Sequence, residues 1–187
     1  MAINLEKGSS INLQKSNPGL QSLHIGLGWD AEDSNGNNID CDVSVFMIDE
    51  NNKIPGDGFF VFYNNLNSSD GSTMHQGDNT TGDGDGDDEV VHINLQSVDP
   101  RILQMIFVVT IHDAEKNGQD FSMVENAFIR ICNTENNEEL CRYDLTESFS
   151  GSDSVQIGRV YNSDGWSFEA MGDGFSGGLG SLLGIYN

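Results

Sequence analysis

The sequence predicts an all-β protein, a β-sandwich of two mainly antiparallel sheets with short helical turns. Its apolar residues fall in short runs that are bounded by Gly, Asn and Asp. Several of these runs alternate apolar and polar side chains, as strands with one buried face do. The helical signal is thin. Many short strands separated by turn residues are typical of a sandwich.

Nine segments qualify as strands. In the second of them, Val43, Val45 and Met47 share one face. Residues 97–102 predict a capped helical turn with Pro100 near its start. In chain order, the candidate strands are 22–28, 41–48, 58–63, 90–95, 105–111, 126–132, 140–145, 155–161 and 166–170.

One hairpin can be placed in register. An Asn136-Asn137 turn suits the positive φ angles of a type I′ turn. This register would pair Cys132 with Cys141 across two strands. Such a pair is either a thiol site for redox or soft-metalloid chemistry, or two small packed residues. We favour packing, because a free Cys is usually just buried.

The length and charge of the chain limit its function. At 187 residues it suits one domain over 1–187, in which a Gly-rich tail from about 172 to 187 either lies across the domain or is loose. The net charge of −22, from 30 acidic and 8 basic residues, argues against nucleic acid as a partner. The chain contains no run of 18 apolar residues, so direct membrane insertion is not expected. Three cysteines without a signal peptide favour a reducing, cytoplasmic location.

Residues 77–89, GDNTTGDGDGDDE, are the most informative segment. These thirteen residues carry six carboxylates, one Asn and four glycines, with no positive charge. Such crowded carboxylates repel one another unless a cation neutralises them. Oxygen donors on a sharply folding backbone are what Ca²⁺ selects. The segment therefore predicts the principal loop of a calcium site.

The spacing in this loop does not match an EF-hand. Counting from Asp78, Thr80, Gly82 and Asp83 occupy positions three, five and six, which breaks that register. The alternative interpretation is a solvated acidic linker. We favour a calcium loop because the candidate strand 90–95 follows it directly.

A second acidic segment could complete the site. Asp40 and Asp42 are two residues apart at the start of a strand, so their carboxylates point to the same side. Asp30 stands at the end of the preceding candidate strand. If these two strands pair as a hairpin, all three acids gather at one rim of the sheet. Calcium-binding loops are thus expected at one end of the sandwich.

These segments resemble the TerD family of tellurium-resistance and stress proteins. The matching motifs are GLGWD, then DCDVSVF from residue 40, then GDNTTGDGDGDDE; IHDA and QDFSMVENAFIR follow. The resemblance covers essentially the whole chain. It implies a calcium-binding β-sandwich that acts in bacterial stress responses, including resistance to tellurite. Some relatives have been described as binding cyclic AMP.

Matching residue by residue, the resemblance implies a set of metal ligands. Cys41, between two of them, departs from the aliphatic residue common in the family, and we expect it to point into the core. About eight acidic or amide side chains exceed the need of one ion, so two Ca²⁺ are expected. The implied metal-binding residues are Asp30, Asp40, Asp42, Asp78, Asn79, Gly82, Gly84, Asp87, Asp88 and Glu89.

A non-enzymatic, calcium-dependent scaffold or sensor is the function we expect. The four histidines are scattered, and no HExxH motif occurs. The expected partners are calcium and other proteins of the stress and tellurite-resistance system, membrane-associated ones among them. Two alternatives stay open: a small-ligand module that binds a cyclic nucleotide, and thiol-based handling of tellurium oxyanions by Cys132 and Cys141.

Overall fold

A computed structural model of the protein describes residues 2–30, 38–77 and 86–187. Within them strands are the main secondary structure, and helices are few and short. The strands are β1 (Ile3–Leu5), β2 (Ser10–Asn12), β3 (Ser22–Gly28), β4 (Cys41–Ile48), β5 (Phe60–Val61), β6 (Thr73–His75), β7 (Glu89–Asn94), β8 (Gln104–Ile111), β9 (Phe128–Asn133), β10 (Glu139–Asp144), β11 (Ser154–Asn162) and β12 (Trp166–Phe175). The helices are α1 (Leu13–Ser16), α2 (Ala114–Asn117) and α3 (Gly178–Tyr186), with one 3₁₀ turn at Asp57–Phe59.

The strands form two six-stranded sheets, which confirms the predicted all-β sandwich. The first sheet has the order β1-β10-β9-β3-β7-β6, and the second has the order β2-β12-β11-β8-β4-β5. Neighbouring strands are antiparallel except for β1 and β10, which run parallel. The chain crosses between the sheets at both edges, from β1 to β2 on one side and from β5 to β6 on the other.

The interior lies between the inward faces of the two sheets. Val43, Val45 and Met47 of β4 are fully buried there, as their alternation predicted. A hydrogen bond from Thr73 Oγ1 of the first sheet to Met105 Sδ of the second marks the contact between the sheets. Met105 is the register partner of Met47, so this face of β4 is the inner one.

The Gly-rich tail continues β12 and then forms α3 across the outer face of the second sheet. Leu182 is fully buried, and the Tyr186 ring lies 4.9 Å from the Phe46 ring, measured between centroids. Gln156 Nε2 donates to Tyr186 Oη at 2.6 Å. Of the two conformations left open for the tail, the structure shows the packed one.

Two local predictions were wrong. Residues 97–102 form hydrogen-bonded turns, with Ile102 N donating to Asp99 O at 2.8 Å, in place of a helical turn. In the β9–β10 hairpin Cys132 pairs with Glu139, and Cys141 pairs with Ile131. The turn between the strands is longer than the predicted two residues, and the register shifts between Glu139 and Cys141. Together these two differences displace the cysteines from each other. All three cysteines are free thiols.

None of the helices in the described ranges is long and apolar enough to cross a membrane.

Candidate metal centre

Glu89 links the two sheets at one rim of the sandwich. It is the first residue of β7 in the first sheet, and its side chain is only 1% exposed. The backbone N–H of Val43 in the second sheet donates to Glu89 Oε2 at 2.7 Å. The Glu89 carboxylate therefore connects the two sheets directly at this rim.

His75 is the second partner of Glu89. Its Nε2 lies 3.2 Å from Glu89 Oε2, and Gly77 N donates to its Nδ1 at 3.1 Å. Since Nδ1 accepts that bond, the ring is neutral and its proton is on Nε2, directed at the carboxylate. Sequence reasoning missed His75, although it stands just before the acidic loop.

Asp88 stands beside Glu89 at the same rim. Its Oδ2 accepts a hydrogen bond from Trp29 N at 2.8 Å, and its own N–H donates to Leu27 O at 2.7 Å. Burial raises the pKa of Asp88, and the charges of Asp87 and Asp30 add to this rise. Trp29 and Leu27 thus fix Asp88 at the end of β3.

The Glu89 carboxyl is also perturbed. Burial raises its pKa, the hydrogen bond from His75 opposes the rise, and the charge of Asp42 adds to it. In the described ranges no Lys or Arg forms an ion pair with Asp88 or Glu89. Negative charge is thus concentrated at the rim, and no described Lys or Arg neutralises Asp88 or Glu89 through an ion pair.

Asp40 and Asp42 flank Cys41 at the start of β4. Asp40 O accepts from His112 N at 2.7 Å, and Asp42 Oδ2 lies 3.6 Å from His112 Nδ1. Cys41 is buried in the core, as expected. Burial raises the pKa of its thiol, and the charges of Asp40, Asp42, Glu89 and Asp88 raise it further. The charges of all four carboxylates therefore act on Cys41 at this end of the sandwich.

Asp30 lies nearby, but for a different reason from the one predicted. Strands β3 and β4 do not form a hairpin, because they belong to different sheets. Asp30 is exposed; its N–H donates to Glu125 O at 2.9 Å, and its Oδ2 accepts from Asn126 Nδ2 at 2.7 Å. Its charge reaches Asp88, as the pKa of that residue shows. The acids gather because the ends of two sheets meet.

Asp87 points away from this rim. Its carboxylate lies over Gly26 on the outer face of the first sheet, where a Cβ on Gly26 would come within 2.2 Å of it. Arg130 donates to it from Nε at 2.7 Å and from Nη2 at 2.9 Å. His24 Nε2 lies 2.8 Å from Asp87 Oδ2. The structure thus separates Asp87 from Asp88 and Glu89, a division that the spacing of three consecutive acids could not reveal.

Four further predicted ligands, Asp78, Asn79, Gly82 and Gly84, lie outside the described residues. Among the residues that are described, no three His, Cys, Asp or Glu side chains converge closely enough to hold a metal ion. The assignment of all these ligands stays a prediction. What the rim does offer is a set of hard carboxylate oxygens, with the one nearby thiol buried, and this set fits Ca²⁺ better than a soft metal.

A cleft of about 450 Å³ opens beside Asp42, on the outer side of the second sheet. His112, Lys116 and the first residues of α3 line it. Asp153 accepts hydrogen bonds from Gly177 N and Gly178 N, each at 2.9 Å, and so caps α3 itself. The lining also includes Asp113 and Glu115, so the cleft is predominantly acidic.

By its fold and its candidate site, the chain is an all-β sandwich of two sheets with carboxylates gathered at one rim. The TerD domain family matches residues 1–186, and the chain belongs to this family. It is 46% identical over 187 residues to the tellurium resistance protein TerD of Serratia marcescens, covering 100% of this chain and 97% of that protein. It is 47% identical over 188 residues to general stress protein 16U of Bacillus subtilis (strain 168), with coverage of 100% and 97%.

A solved structure shares the fold. The crystal structure of a homologue of telluride resistance protein TerD from Streptomyces coelicolor A3(2) matches with a TM-score of 0.67. It covers 88% of this chain and 96% of that chain at 20% identity, which supports the fold alone. The relatives are thus named as resistance or stress proteins, not as enzymes.

Proposed function

We propose that this chain is a calcium-binding, non-enzymatic stress-response protein whose calcium-loaded rim binds other proteins of a tellurite-resistance system. The observation that carries the proposal is the rim of Asp40, Asp42, Asp88 and Glu89. Their charges all act on the Cys41 thiol between them, and the charge of Asp42 adds to the rise that burial causes in the pKa of Glu89. A bound cation would remove that repulsion.

Calcium suits this rim because the candidate donors are oxygen atoms that would approach the ion from several directions. Ca²⁺ accepts six to eight oxygen ligands in flexible geometry, whereas Mg²⁺ demands a near-ideal octahedron. Among the described residues, the donors to Glu89 both use Oε2, so we assign Oε1 to the ion. Asp78, Asn79 and the carbonyls of Gly82 and Gly84 complete the proposed set, and its size suits two ions.

The fold suggests how calcium would act on partners. Glu89 already contacts both sheets, and Asp30 and Asp88 are held at the end of β3. An ion shared by these carboxylates and the acidic loop would fix the loop against the rim. Without the ion, like charges would push the segments apart. The ordered rim would then be the surface that partner proteins recognise.

Calorimetric titration of metal-stripped protein with Ca²⁺ tests the proposal. We expect saturable binding that survives excess Mg²⁺ and is weakened at least tenfold by Asp88→Asn. This substitution keeps an acceptor for Trp29 N and removes one charge from the rim. An Asp78→Asn variant tests the acidic loop in the same way.

The matched control is Asp164→Asn, which removes the same charge far from the rim. Asp164 has an 85% exposed side chain and pairs with Lys15. The two Asn variants have equal net charge, so general electrostatic attraction affects both alike. Absence of saturable heat in the unsubstituted protein, or equal weakening by both variants, would refute the calcium site.

Thiol chemistry is disfavoured by the surroundings of the cysteines. Burial raises the pKa of Cys132, and burial raises that of Cys141 to about 12. Protonated thiols are poor nucleophiles and poor metal ligands. Tellurite resistance conferred by a Cys132→Ser, Cys141→Ser double variant should equal that of the unsubstituted protein; loss of resistance in a folded double variant would support the thiol alternative.

A cyclic nucleotide is also a poor match for the cleft beside Asp42. Its acids outnumber the one cation, Lys116, and would repel a phosphate. Equilibrium dialysis against cyclic AMP should show no binding at millimolar ligand. Saturable binding there would favour the small-ligand alternative over the scaffold.

A further inference from the structure

Two contacting histidines lie on the outer face of the first sheet, apart from the acidic rim. His24 on β3 and His92 on β7 are register partners across the antiparallel pair, so their side chains project from the same face. Both are partly buried. His24 Nδ1 lies 3.3 Å from His92 Nε2, with the ring centroids 5.3 Å apart.

The other nitrogen of His24 is already committed. Its Nε2 lies 2.8 Å from Asp87 Oδ2, and an ionised carboxylate can only accept. We therefore place a proton of His24 on Nε2; in the neutral ring with that tautomer, Nδ1 presents a lone pair to His92. A histidine that donates one N–H to a carboxylate and offers the other nitrogen has the arrangement found at metal-ligating histidines.

Asp87 is itself held in place. Arg130 binds both of its carboxylate oxygens, through Nε and Nη2. Glu139 Oε2 lies 3.3 Å from Arg130 Nη1, so two carboxylates face one guanidinium. The group thus keeps a net negative charge beside the two imidazoles, within a chain of net charge −22. This field favours a cation.

The distance between the two imidazole nitrogens fits a shared metal ion. Two nitrogens bound at about 2.0–2.1 Å to one tetrahedral zinc ion lie about 3.3 Å apart. We propose that His24 Nδ1 and His92 Nε2 form a binding site for a divalent transition metal of borderline softness, such as Zn²⁺, with Asp87 orienting His24. Water would complete the coordination, since only two protein side chains supply ligands.

The metal would take the position of a single proton. In the metal-free protein, His92 Nε2–H donates to His24 Nδ1, because His24 carries its proton on Nε2. Metal binding moves the His92 proton to Nδ1 and frees Nε2 as a ligand.

Zinc titration in saturating Ca²⁺ tests this site, because calcium then occupies the acidic rim. We expect one Zn²⁺ to bind the unsubstituted protein, and the binding to be lost in His24→Gln and in His92→Gln. Asp87→Asn should weaken zinc about tenfold, the usual effect of removing an orienting carboxylate. His112→Gln, a substitution of an exposed histidine in the turn after β8, is the matched control and should keep the affinity for zinc.

Two further readouts separate this site from the calcium rim. Calcium affinity should be unchanged in both histidine variants, so failure of one site leaves the other testable. Imidazole ¹⁵N spectra should place zinc on Nδ1 of His24, with its Nε2 protonated. Equal zinc affinity in the unsubstituted protein and both histidine variants would overturn the proposal, as would coordination of zinc through Nε2 of His24.

Discussion

Three consecutive carboxylates have three different surroundings. Asp87 lies on the outer face of the first sheet, bound by Arg130. Asp88 stands at the rim under the N–H of Trp29, and Glu89 turns inward to meet Val43 of the other sheet. Neighbours supplied by distant parts of the chain, more than residue type, therefore decide which of these acids can contribute to a metal site.

Gly26 provides the space for Asp87. We expect Gly26→Ala to displace the Asp87 carboxylate from Arg130 and to destabilise the fold by about 1–3 kcal/mol, as overpacking does. The reason is the 2.2 Å approach that a Cβ would make to the carboxylate. Urea unfolding followed by circular dichroism measures the change.

Gly180→Ala is the control for that substitution. A Cβ at Gly180 in α3 meets nothing within 4 Å. Alanine favours a helix over glycine by up to about 1 kcal/mol, so this variant should be equal or slightly more stable. Equal losses in both variants would mean that the Asp87 contact does not matter.

Asp99 predicts a local acid dependence. A side-chain hydrogen bond from Arg101, and one from the Arg101 backbone, lower the pKa of Asp99 to about 2. Because the folded pKa is lower than the unfolded one, the stabilisation is complete above the ordinary value of 3.8 and is lost as the pH falls through about 2. Carboxyl ¹³C titration by NMR should show this value.

Arg101→Gln should return the pKa of Asp99 toward its ordinary value, since the main donor is removed. An Asp99 carboxyl that titrates normally in the unsubstituted protein would contradict the ion pair.

At the scale of elements, the strands with strong sequence signals were predicted well. Segments 22–28 and 41–48 coincide with β3 and β4, because each is a buried apolar run that ends at turn residues. Strands β1, β2 and β6 were missed, because three residues at a sheet edge carry too little pattern. Segment 58–63 is divided between a 3₁₀ turn and the two residues of β5.

Other features depend on contacts between distant segments, which the sequence pattern does not encode. Glycines at 178, 180 and 184 disfavour a helix, yet α3 forms because burial of Leu182 and Tyr186 compensates for them. The acidic rim was predicted from the clustering of acids and the motif. The outward turn of Asp87 was not, because its partner Arg130 lies 43 residues further on.

Helix α3 predicts a matched pair of substitutions. Leu182→Ala removes a fully buried side chain and should cost about 2–5 kcal/mol. Ile185→Ala removes a side chain that is 47% exposed from the same helix and should stay within about 0.5 kcal/mol. Chemical denaturation of both variants measures the difference. Equal effects would show that α3 is not docked through Leu182.

At the scale of the whole molecule, the net charge of −22 opposes compact packing. We expect chelation of divalent ions to lower the melting temperature, and added NaCl to restore part of it by screening. If our proposed calcium site is right, Ca²⁺ at 100 times its Kd adds about 2.7 kcal/mol per site. Scanning calorimetry with chelator, NaCl or Ca²⁺ compares these states; identical melting in all three would contradict both effects.

The order of strands in the sheets also bears on how the chain folds during synthesis. Strand β1 pairs with β10, through Ile3 and Cys141, and β2 pairs with β12, through Ser10 and Glu169. The first two of the described strands therefore wait for β10 and β12 to be synthesised before they gain a partner. Both edges of the nascent sandwich stay open to other chains during that interval. Closure of the two sheets therefore comes after the synthesis of β12, and chaperones that shield exposed strand edges should influence its yield.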